Sequence, residues 1–130
     1  MSFERVFSGA PWEEQVAYCR VLKAGSMIFV TGTAPVDEEG HVFAPGDALA
    51  QARRCLNIIQ ESLGKLGVGM ESVVRTRMFT TDIERWEDYG LAHKEVFGGH
   101  PPTTTLVEVS RLIHPDMLIE IEADAVLDES

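Results

Sequence analysis

The sequence has 130 residues, 45% of them hydrophobic and 25% charged, which is typical of one globular domain with a sizeable core. Its 21 acidic residues outnumber its 11 basic residues and give a formal net charge of −10 at pH 7. Because a phosphate backbone is bound by clustered Lys and Arg, this balance argues against nucleic acid as the main partner.

The residue pattern indicates neither a membrane segment nor a metal site. No apolar run approaches the roughly 20 residues of a transmembrane helix, and the N-terminus lacks the basic and apolar regions of a signal peptide. The two cysteines, Cys19 and Cys55, and the four scattered histidines lack the spacing of metal ligands. We therefore expect a cytoplasmic protein with reduced thiols, no metal and no cofactor.

The first third of the chain predicts three strands and a hairpin-like excursion. Residues 3–7 form the first strand and residues 16–24 the second, separated by a loop that contains Gly and Pro. Residues 27–31 form a third strand that is apolar on both faces, which is typical of a strand covered on both sides. Because only two helices are predicted, we expect another subunit to supply the second cover. Residues 35–43 turn back on themselves at Glu39-Gly40.

Two helices and one strand are predicted in the middle of the chain. Asp47 is a good N-cap for a helix over residues 48–66, and Asp82 caps a second helix over residues 83–97. Residues 72–80 form the strand between them. The first helix has one apolar stripe at helical spacing, made of Ala52, Cys55, Leu56, Ile59, Leu63 and Leu66.

Residues 101–126 predict two strands joined by a short turn that contains Pro115. Side chains alternate between the two faces of a strand, so the second of these strands has an apolar face and an acidic face. The apolar face consists of Ile119, Ile121, Ala123 and Ala125, and the acidic face of Glu120, Glu122 and Asp124. Adjacent carboxylates repel one another, so water, cations or another subunit must separate them. The whole order of elements predicts an α+β domain with a mixed sheet and two helices on one face.

The pattern P-x-T-x-x-V-E-V-x-R-L, followed by I-E-I-E-A, resembles the C-terminal signature of the YjgF/RidA family, the reactive-intermediate deaminases. Tyr18, the MIFVTG strand at 27–32, the AQAR motif at 50–53 and the VRT motif at 74–76 occur in matching order. This resemblance covers most of the chain and implies a single RidA-like domain over residues 1–130. It also implies a chorismate-mutase-like fold and a homotrimer with ligand clefts between subunits.

Three residues match site positions of that family. Glu120 matches the active-site glutamate, which would position water or shuttle a proton during imine hydrolysis. Tyr18 matches a tyrosine that lines the cleft, and Gly32 matches a glycine whose backbone approaches the ligand. Each has a simpler interpretation: a solvated member of an acidic row for Glu120, a buried aromatic for Tyr18, and strand-end geometry for Gly32.

One departure from the family affects the predicted chemistry. Thr104 stands where members with deaminase activity carry an arginine that binds the substrate carboxylate. Arg77 is a candidate replacement, since a guanidinium binds carboxylates bidentately, although an ion pair with Glu120 or Glu122 is the favoured interpretation. Trp86 occupies a position where relatives have an aromatic residue near the cleft, so it is a further candidate for binding.

Three functions follow from the resemblance and are kept open. The first is hydrolysis of a 2-imino acid to a 2-keto acid and ammonia in an intersubunit cleft. The second is a non-catalytic or regulatory module that binds the same small carboxylates or imine- and enamine-type metabolites. The third, RNA cleavage, follows from the L-PSP endoribonuclease name of some members, and the net charge of −10 disfavours it.

Overall fold

The computed structural model describes residues 2–128, so Met1, Glu129 and Ser130 of the predicted 1–130 domain lie outside the described residues. The strands are β1 (Phe3–Val6), β2 (Val21–Ala24), β3 (Met27–Thr33), β4 (Val73–Thr80), β5 (Thr103–Glu108) and β6 (Ile119–Val126). The helices are α1 (Pro11–Val16), α2 (Ala48–Gly64) and α3 (Trp86–Phe97). The strands form one sheet in the order β1-β2-β3-β6-β4-β5.

The sheet is mixed, and its last strand in sequence lies at its centre. β6 pairs antiparallel with β3 on one side and with β4 on the other, whereas β4 and β5 are parallel. Helices α2 and α3 pack against each other, and α2 lies against β6 and β3. The predicted α+β class, with a mixed sheet and these two helices on one face, is confirmed.

Alternation along β6 places one face in the core and leaves the other open. The predicted apolar face is confirmed, because each of its four residues is at most 1% exposed. The acidic side chains of the opposite face are half-buried and lie beside the exposed side chains of β3 and β4. We call this second surface of the sheet the open face; it consists of Met27, Phe29, Arg75, Arg77, Phe79, Glu122, Asp124 and Val126.

The last two strands are present, but they are not neighbours joined by a short turn. β5 and β6 lie on opposite sides of β4, and residues 109–118 connect them. A parallel partner requires a crossover, and α3 supplies it between β4 and β5. Sequence alternation identifies a strand without identifying its neighbour, which is why the pairing was not predicted.

The predicted strand over residues 16–24 is wrong in its first half. A six-residue helix, α1, begins at Pro11 and ends at Val16, and the strand begins only at Val21. Proline is favoured at the first position of a helix, and Glu13 and Glu14 interact favourably with the helix dipole in the first turn. Ala17 then adopts a left-handed conformation with φ of 71°, which ends the helix.

Other predicted boundaries differ by a few residues. The helix predicted over 48–66 ends at Gly64, and residues 83–85 form a 3-10 turn ahead of α3. The predicted cap at Asp47 is confirmed, since its side chain accepts a hydrogen bond from the Ala50 N–H. Asp82 accepts one from the Glu84 N–H, but it caps the 3-10 turn and not α3, whose N-cap residue is Arg85. The excursion over 35–43 closes through a single bridge between Val36 and Val42.

A buried glutamine on α2 holds the connection between β5 and β6 in place. The Gln51 side chain is 0% exposed and donates to the carbonyl of Asp116 at 2.9 Å and, more weakly, to that of Ala44 at 3.3 Å. Its Oε1 accepts the Leu118 N–H at 2.8 Å. One side chain therefore satisfies backbone groups immediately before β6, where Glu120 begins the acidic face.

We predict that Gln51→Leu lowers the free energy of unfolding by about 2 kcal/mol, because it leaves the part-buried Leu118 N–H and Asp116 carbonyl without their partner. Chemical denaturation measures this loss. Gln60→Leu is the matched control, since Gln60 is an exposed residue of the same helix, and we expect a change within about 0.5 kcal/mol. Equal effects of the two substitutions would contradict the assigned role of Gln51.

Candidate functional site

The candidate site lies at the end of the sheet where three strand termini meet. β2 and β6 both run antiparallel to β3, so the starts of β2 and β6 lie beside the end of β3. This arrangement brings together Arg20, just before β2, Gly32 and Thr33 at the end of β3, and Glu120 near the start of β6. The β3–β6 register shifts between Val30 and Thr33, which marks a bulge next to the site.

A cavity of about 730 Å³ opens at this end of the sheet. Tyr18, Gly32 and Glu120, the three residues with matching family positions, all line it. Its other walls come from α1, from the second half of α2, from the excursion over 35–43 and from the 109–118 connection. Residues separated by more than 100 positions in sequence thus share one concave surface, which is the usual form of a small-molecule site.

Gly32 allows the Glu120 side chain to lie directly against the backbone of β3. A Cβ at position 32 would stand 3.1 Å from Glu120 Oε2 and 3.2 Å from its Cδ. A residue with a side chain would therefore push the carboxyl group away by a few tenths of an ångström. Strand-end geometry and close approach both apply at this glycine, but the group that approaches in the described structure is Glu120.

The environment of Glu120 makes its carboxyl group harder to ionise. Burial removes water from the group and raises its pKa. The nearby Arg20 charge lowers the pKa by a smaller amount, and the negative charge of Glu122 raises it further. A carboxyl group with a raised pKa exchanges a proton more readily near neutral pH than an ordinary glutamate does. This is the property that acid–base catalysis requires.

A buried ion pair lies at the wall of the cavity. Arg20 is 5% exposed and its Nη2 lies 3.0 Å from Oε2 of Glu13, which is 4% exposed. Arg20 Nη1 also donates to the carbonyl of Gly32 at 2.9 Å, and the guanidinium lies over the Tyr18 ring at 5.6 Å. The pair therefore connects α1 to Tyr18 and to the bulged end of β3.

Hydrogen bonds keep the Glu13 carboxylate charged despite its position. Burial opposes ionisation, but donation from the Ser8 hydroxyl, from Arg20 and from the Ser8 N–H outweighs it and lowers the pKa of Glu13. Two carboxyl groups at one site thus have pKa values displaced in opposite directions, Glu13 downward and Glu120 upward. Such opposite displacement separates a permanent charge from a proton-exchanging group.

Sequence reasoning missed all four cations of the cavity. These are Arg20, Arg54, Lys65 and Arg111. Tyr18 and Arg20 precede β2 and share no strand face, so strand alternation could not have identified Arg20. Trp12 also lines the cavity from α1.

The remaining predicted binding residues lie elsewhere in the chain. Thr104, Arg77 and Trp86 are not among the residues that line this cavity. Arg77 Nη1 donates to Glu122 at 2.9 Å and to Asp124 at 3.4 Å on the open face, which is the ion-pair arrangement favoured from sequence. Trp86 is 57% exposed at the start of α3. Their ligand roles stay predictions that require contact with a cleft of another subunit.

Thr104 ends a chain of hydrogen-bonding side chains. Its hydroxyl lies 2.7 Å from that of Thr76, which in turn lies 2.8 Å from Nε2 of His93. Burial lowers the pKa of His93, so the imidazole is neutral at pH 7. These contacts are those of a hydrogen-bonded structural histidine.

Within residues 2–128, no cluster of His, Cys, Asp and Glu has the arrangement of a metal site, and no helix is long and apolar enough to cross a membrane. Cys19 and Cys55 are free thiols. Burial, reinforced by the charge of Glu120, raises the pKa of the Cys55 thiol, so this cysteine is unreactive.

Comparisons with known proteins give one matching family profile and several similar structures. The profile of the family described as Endoribonuclease L-PSP matches residues 10–127. The structure of Rv2704 from Mycobacterium tuberculosis, a member of the YjgF/YER057c/UK114 family, is similar with a TM-score of 0.88 and 40% identity. That similarity covers 97% of this chain and 100% of the other.

Two further relatives have informative names. The 3-aminoacrylate deaminase RutC of Acinetobacter baylyi is 34% identical over 111 residues, which is 83% of this chain and 85% of the relative. The structure of E. coli TdcF with bound serine is similar with a TM-score of 0.77 and 30% identity, over 85% of this chain and 88% of that one.

We predict that Glu13→Gln destabilises the protein by about 2 kcal/mol at pH 7, because it leaves the buried Arg20 charge without its counter-ion. The folded-state pKa of Glu13 is lowered, so its contribution is present above the unfolded value of 4.5 and is lost as pH falls through the folded value. The stability difference between wild type and variant, measured by denaturation, should therefore shrink on acidification below that value. Glu14→Gln, in the exposed neighbouring residue, is the control and should cost less than about 0.5 kcal/mol of stability. If the loss of stability in Glu13→Gln stays the same in acid, Glu13 is not the charged partner of Arg20.

Proposed function

The chain belongs to the endoribonuclease L-PSP family, whose members include YjgF and RutC proteins, and we propose that it binds small carboxylates and imine- or enamine-type metabolites at the Tyr18–Gly32–Glu120 cavity. The observation that carries this proposal is the convergence of these three residues on one cavity. Two relatives support the ligand class, since 3-aminoacrylate and serine are both small carboxylates.

The chemistry that the cavity supports best is hydrolysis of an imine. Water adds to the imine carbon while Glu120 accepts a proton from it, and the same carboxyl group then protonates the nitrogen. The resulting carbinolamine expels ammonia as its hydroxyl loses a proton, so that one imine and one water give one ketone and one ammonia. The Tyr18 hydroxyl orients the water or donates to the ligand.

Residue 104 decides between the catalytic and the binding versions of this proposal. A guanidinium offers a carboxylate two charge-assisted hydrogen bonds, whereas the Thr104 hydroxyl offers a neutral one and is already bonded to Thr76. Losing such a pair costs about 1.5–3 kcal/mol, or roughly ten- to a hundredfold in affinity. We therefore propose that simple 2-imino acids are poor substrates, and that a non-catalytic binding or regulatory role is the alternative.

RNA cleavage is the less favoured function. The chain has a net charge of −10, and no histidine lines the cavity formed by the described residues. Cleavage of RNA would require a basic surface for the phosphates and a positioned pair of acid–base groups.

The same proposal treats the chain as one RidA-like domain of chorismate-mutase-like fold that works in the cytoplasm. The described strands belong to a single sheet, which supports one domain. Both cysteines are free thiols, as expected where thiols are kept reduced.

We propose a homotrimer assembled through the open face of the sheet. Met27, Phe29 and Val126 are exposed there although they lie on two central strands. Arg77 offsets the charges of Glu122 and Asp124 within the chain, which reduces the repulsion that would otherwise oppose burial of this face. A second copy of the same sheet is an occupant that would cover the apolar side chains.

Light scattering should give a mass of three times the 14.4 kDa chain at micromolar concentration. Phe29→Glu should dissociate the assembly, because it places a further negative charge beside Asp124, its cross-strand neighbour at the centre of the covered face. Leu91→Glu, in an exposed apolar residue of α3, is the control and should leave the mass unchanged. A stable wild-type monomer would rule out the proposed assembly.

We predict that wild type is close to background on 2-iminopropionate generated in situ, and that Thr104→Arg gains activity by restoring a carboxylate-binding guanidinium. Adding Glu120→Gln to Thr104→Arg should abolish the gain, because the amide cannot accept the proton from water. The measurement is ammonia release in excess of the spontaneous rate.

Glu122→Gln in the same Thr104→Arg background is the matched control, since Glu122 shares the acidic face but does not line the cavity. This double variant should keep the activity that Thr104→Arg gains. Robust wild-type turnover would show that residue 104 does not set the chemistry. A gain that survives Glu120→Gln would remove Glu120 from the proposed mechanism.

A further inference from the structure

The cavity contains four cationic side chains, and three of them already have a structural role. Arg20 is buried against Glu13 and the Gly32 carbonyl. Arg54 Nε donates to the carbonyl of Val36 at 2.6 Å and thereby holds the 35–43 excursion. These contacts occupy most of the Arg20 guanidinium, whereas the Arg54 contact occupies only Nε and fixes this side chain beside the excursion.

Lys65 has a simpler structural role. It is the C-cap residue of α2, where its charge interacts favourably with the negative end of the helix dipole. An ammonium group is also a strongly hydrated point charge without a fixed fork of donors, so it is poorly suited to orient a carboxylate.

Arg111 differs from the other three cations. It lies in the 109–118 connection, it is exposed, and its guanidinium has no hydrogen bond or ion pair with any residue in the range 2–128. Its five N–H donors are therefore free to bind, and they face the same cavity as Glu120 and Tyr18. Gln51 holds the following residues of this connection against α2, which limits its movement.

Apolar side chains share the cavity with this unpaired charge. Val16 and Ile113 line it and are 68% and 70% exposed, and Trp12 contributes an aromatic ring. Five carboxylates also line the cavity, namely Asp37, Glu38, Glu39, Glu61 and Glu120, so an anion must bind next to a cation that no carboxylate neutralises. An unpaired guanidinium in a cavity with exposed apolar side chains matches an anion attached to an apolar body.

Building on the proposed function, we infer that Arg111 is the residue that binds the ligand carboxylate in this chain, and that the ligand is a monocarboxylate with a branched or aromatic body. The anion site is thus shifted from position 104 to position 111. The apolar body lies against Val16, Trp12 and Ile113, and the reacting carbon lies toward Glu120.

Calorimetric titration with 4-methyl-2-oxopentanoate, its methyl ester and pyruvate tests this inference. Wild type should bind the branched acid roughly tenfold more tightly than pyruvate, because the added carbons are removed from water. It should also bind the acid about tenfold more tightly than the ester, which lacks the charge.

Arg111→Gln should weaken binding of the acid about tenfold and leave binding of the ester unchanged. Arg111→Lys keeps the charge without the bidentate fork, so its affinity for the acid should lie between those of wild type and Arg111→Gln. Lys94→Gln is the control, because it makes the same change in net charge on an exposed residue of α3 that does not line the cavity. Thermal melting should give the same Tm for all these variants, since the exchanged side chains are exposed.

The outcomes separate this inference from the function on which it rests. If wild type binds the acid and Arg111→Gln binds it equally well, Arg111 is not the anion site, although the cavity still binds carboxylates. Loss of binding in Lys65→Gln or in Arg54→Gln, with Arg111→Gln unaffected, would assign the anion to that residue and overturn the inference. If wild type binds neither acid, the proposed function and the inference both fail.

Discussion

The site depends on a pair of charges that have been removed from water. Arg20 and Glu13 face each other at 3.0 Å with almost no exposure, and each would cost several kcal/mol to bury alone. Their cost is offset because Ser8 donates to the carboxylate and because Arg20 donates to the Gly32 carbonyl. These bonds join the short first helix, the segment that carries Tyr18 and the bulged end of β3. This pair thereby fixes the positions of these three pieces of chain relative to one another at the wall of the cavity.

Glu120 illustrates how the fold gives one of three acidic neighbours a different chemistry. Glu122 and Asp124 lie further along the same strand face and pair with Arg77, so their charges are offset. Glu120 lies against the bare backbone at Gly32, where burial raises the pKa of its carboxyl group. Position on the strand, rather than residue type, therefore separates a candidate acid–base group from structural ion pairs.

Patterns that depend on local physics were predictable from the sequence, and contacts between distant segments were not. The alternation in β6, the stripe of α2 and the cap at Asp47 follow from periodicity and short-range hydrogen bonding, and all three are confirmed. The helix at 11–16 was missed because Pro11 was interpreted as part of a loop, although proline is equally common as the first helical residue. The pairing of β6 with β3 and β4, and the entry of Arg111 into the cavity, depend on tertiary arrangement that carries no signal at the residue level. Motif matching identified Tyr18, Gly32 and Glu120, and the structure brings these residues to one cavity without testing their roles.

Binding of ligand in the cavity lined by Tyr18, Gly32 and Glu120 is tested by a crystal structure of the protein soaked with 4-methyl-2-oxopentanoate. We expect ligand density in this cavity, with the keto carbon facing the Glu120 carboxyl group and the Tyr18 hydroxyl within hydrogen-bond distance, about 3 Å, of a ligand oxygen. Density confined to another surface, such as the neighbourhood of Trp86 away from any Glu120, would contradict this expectation.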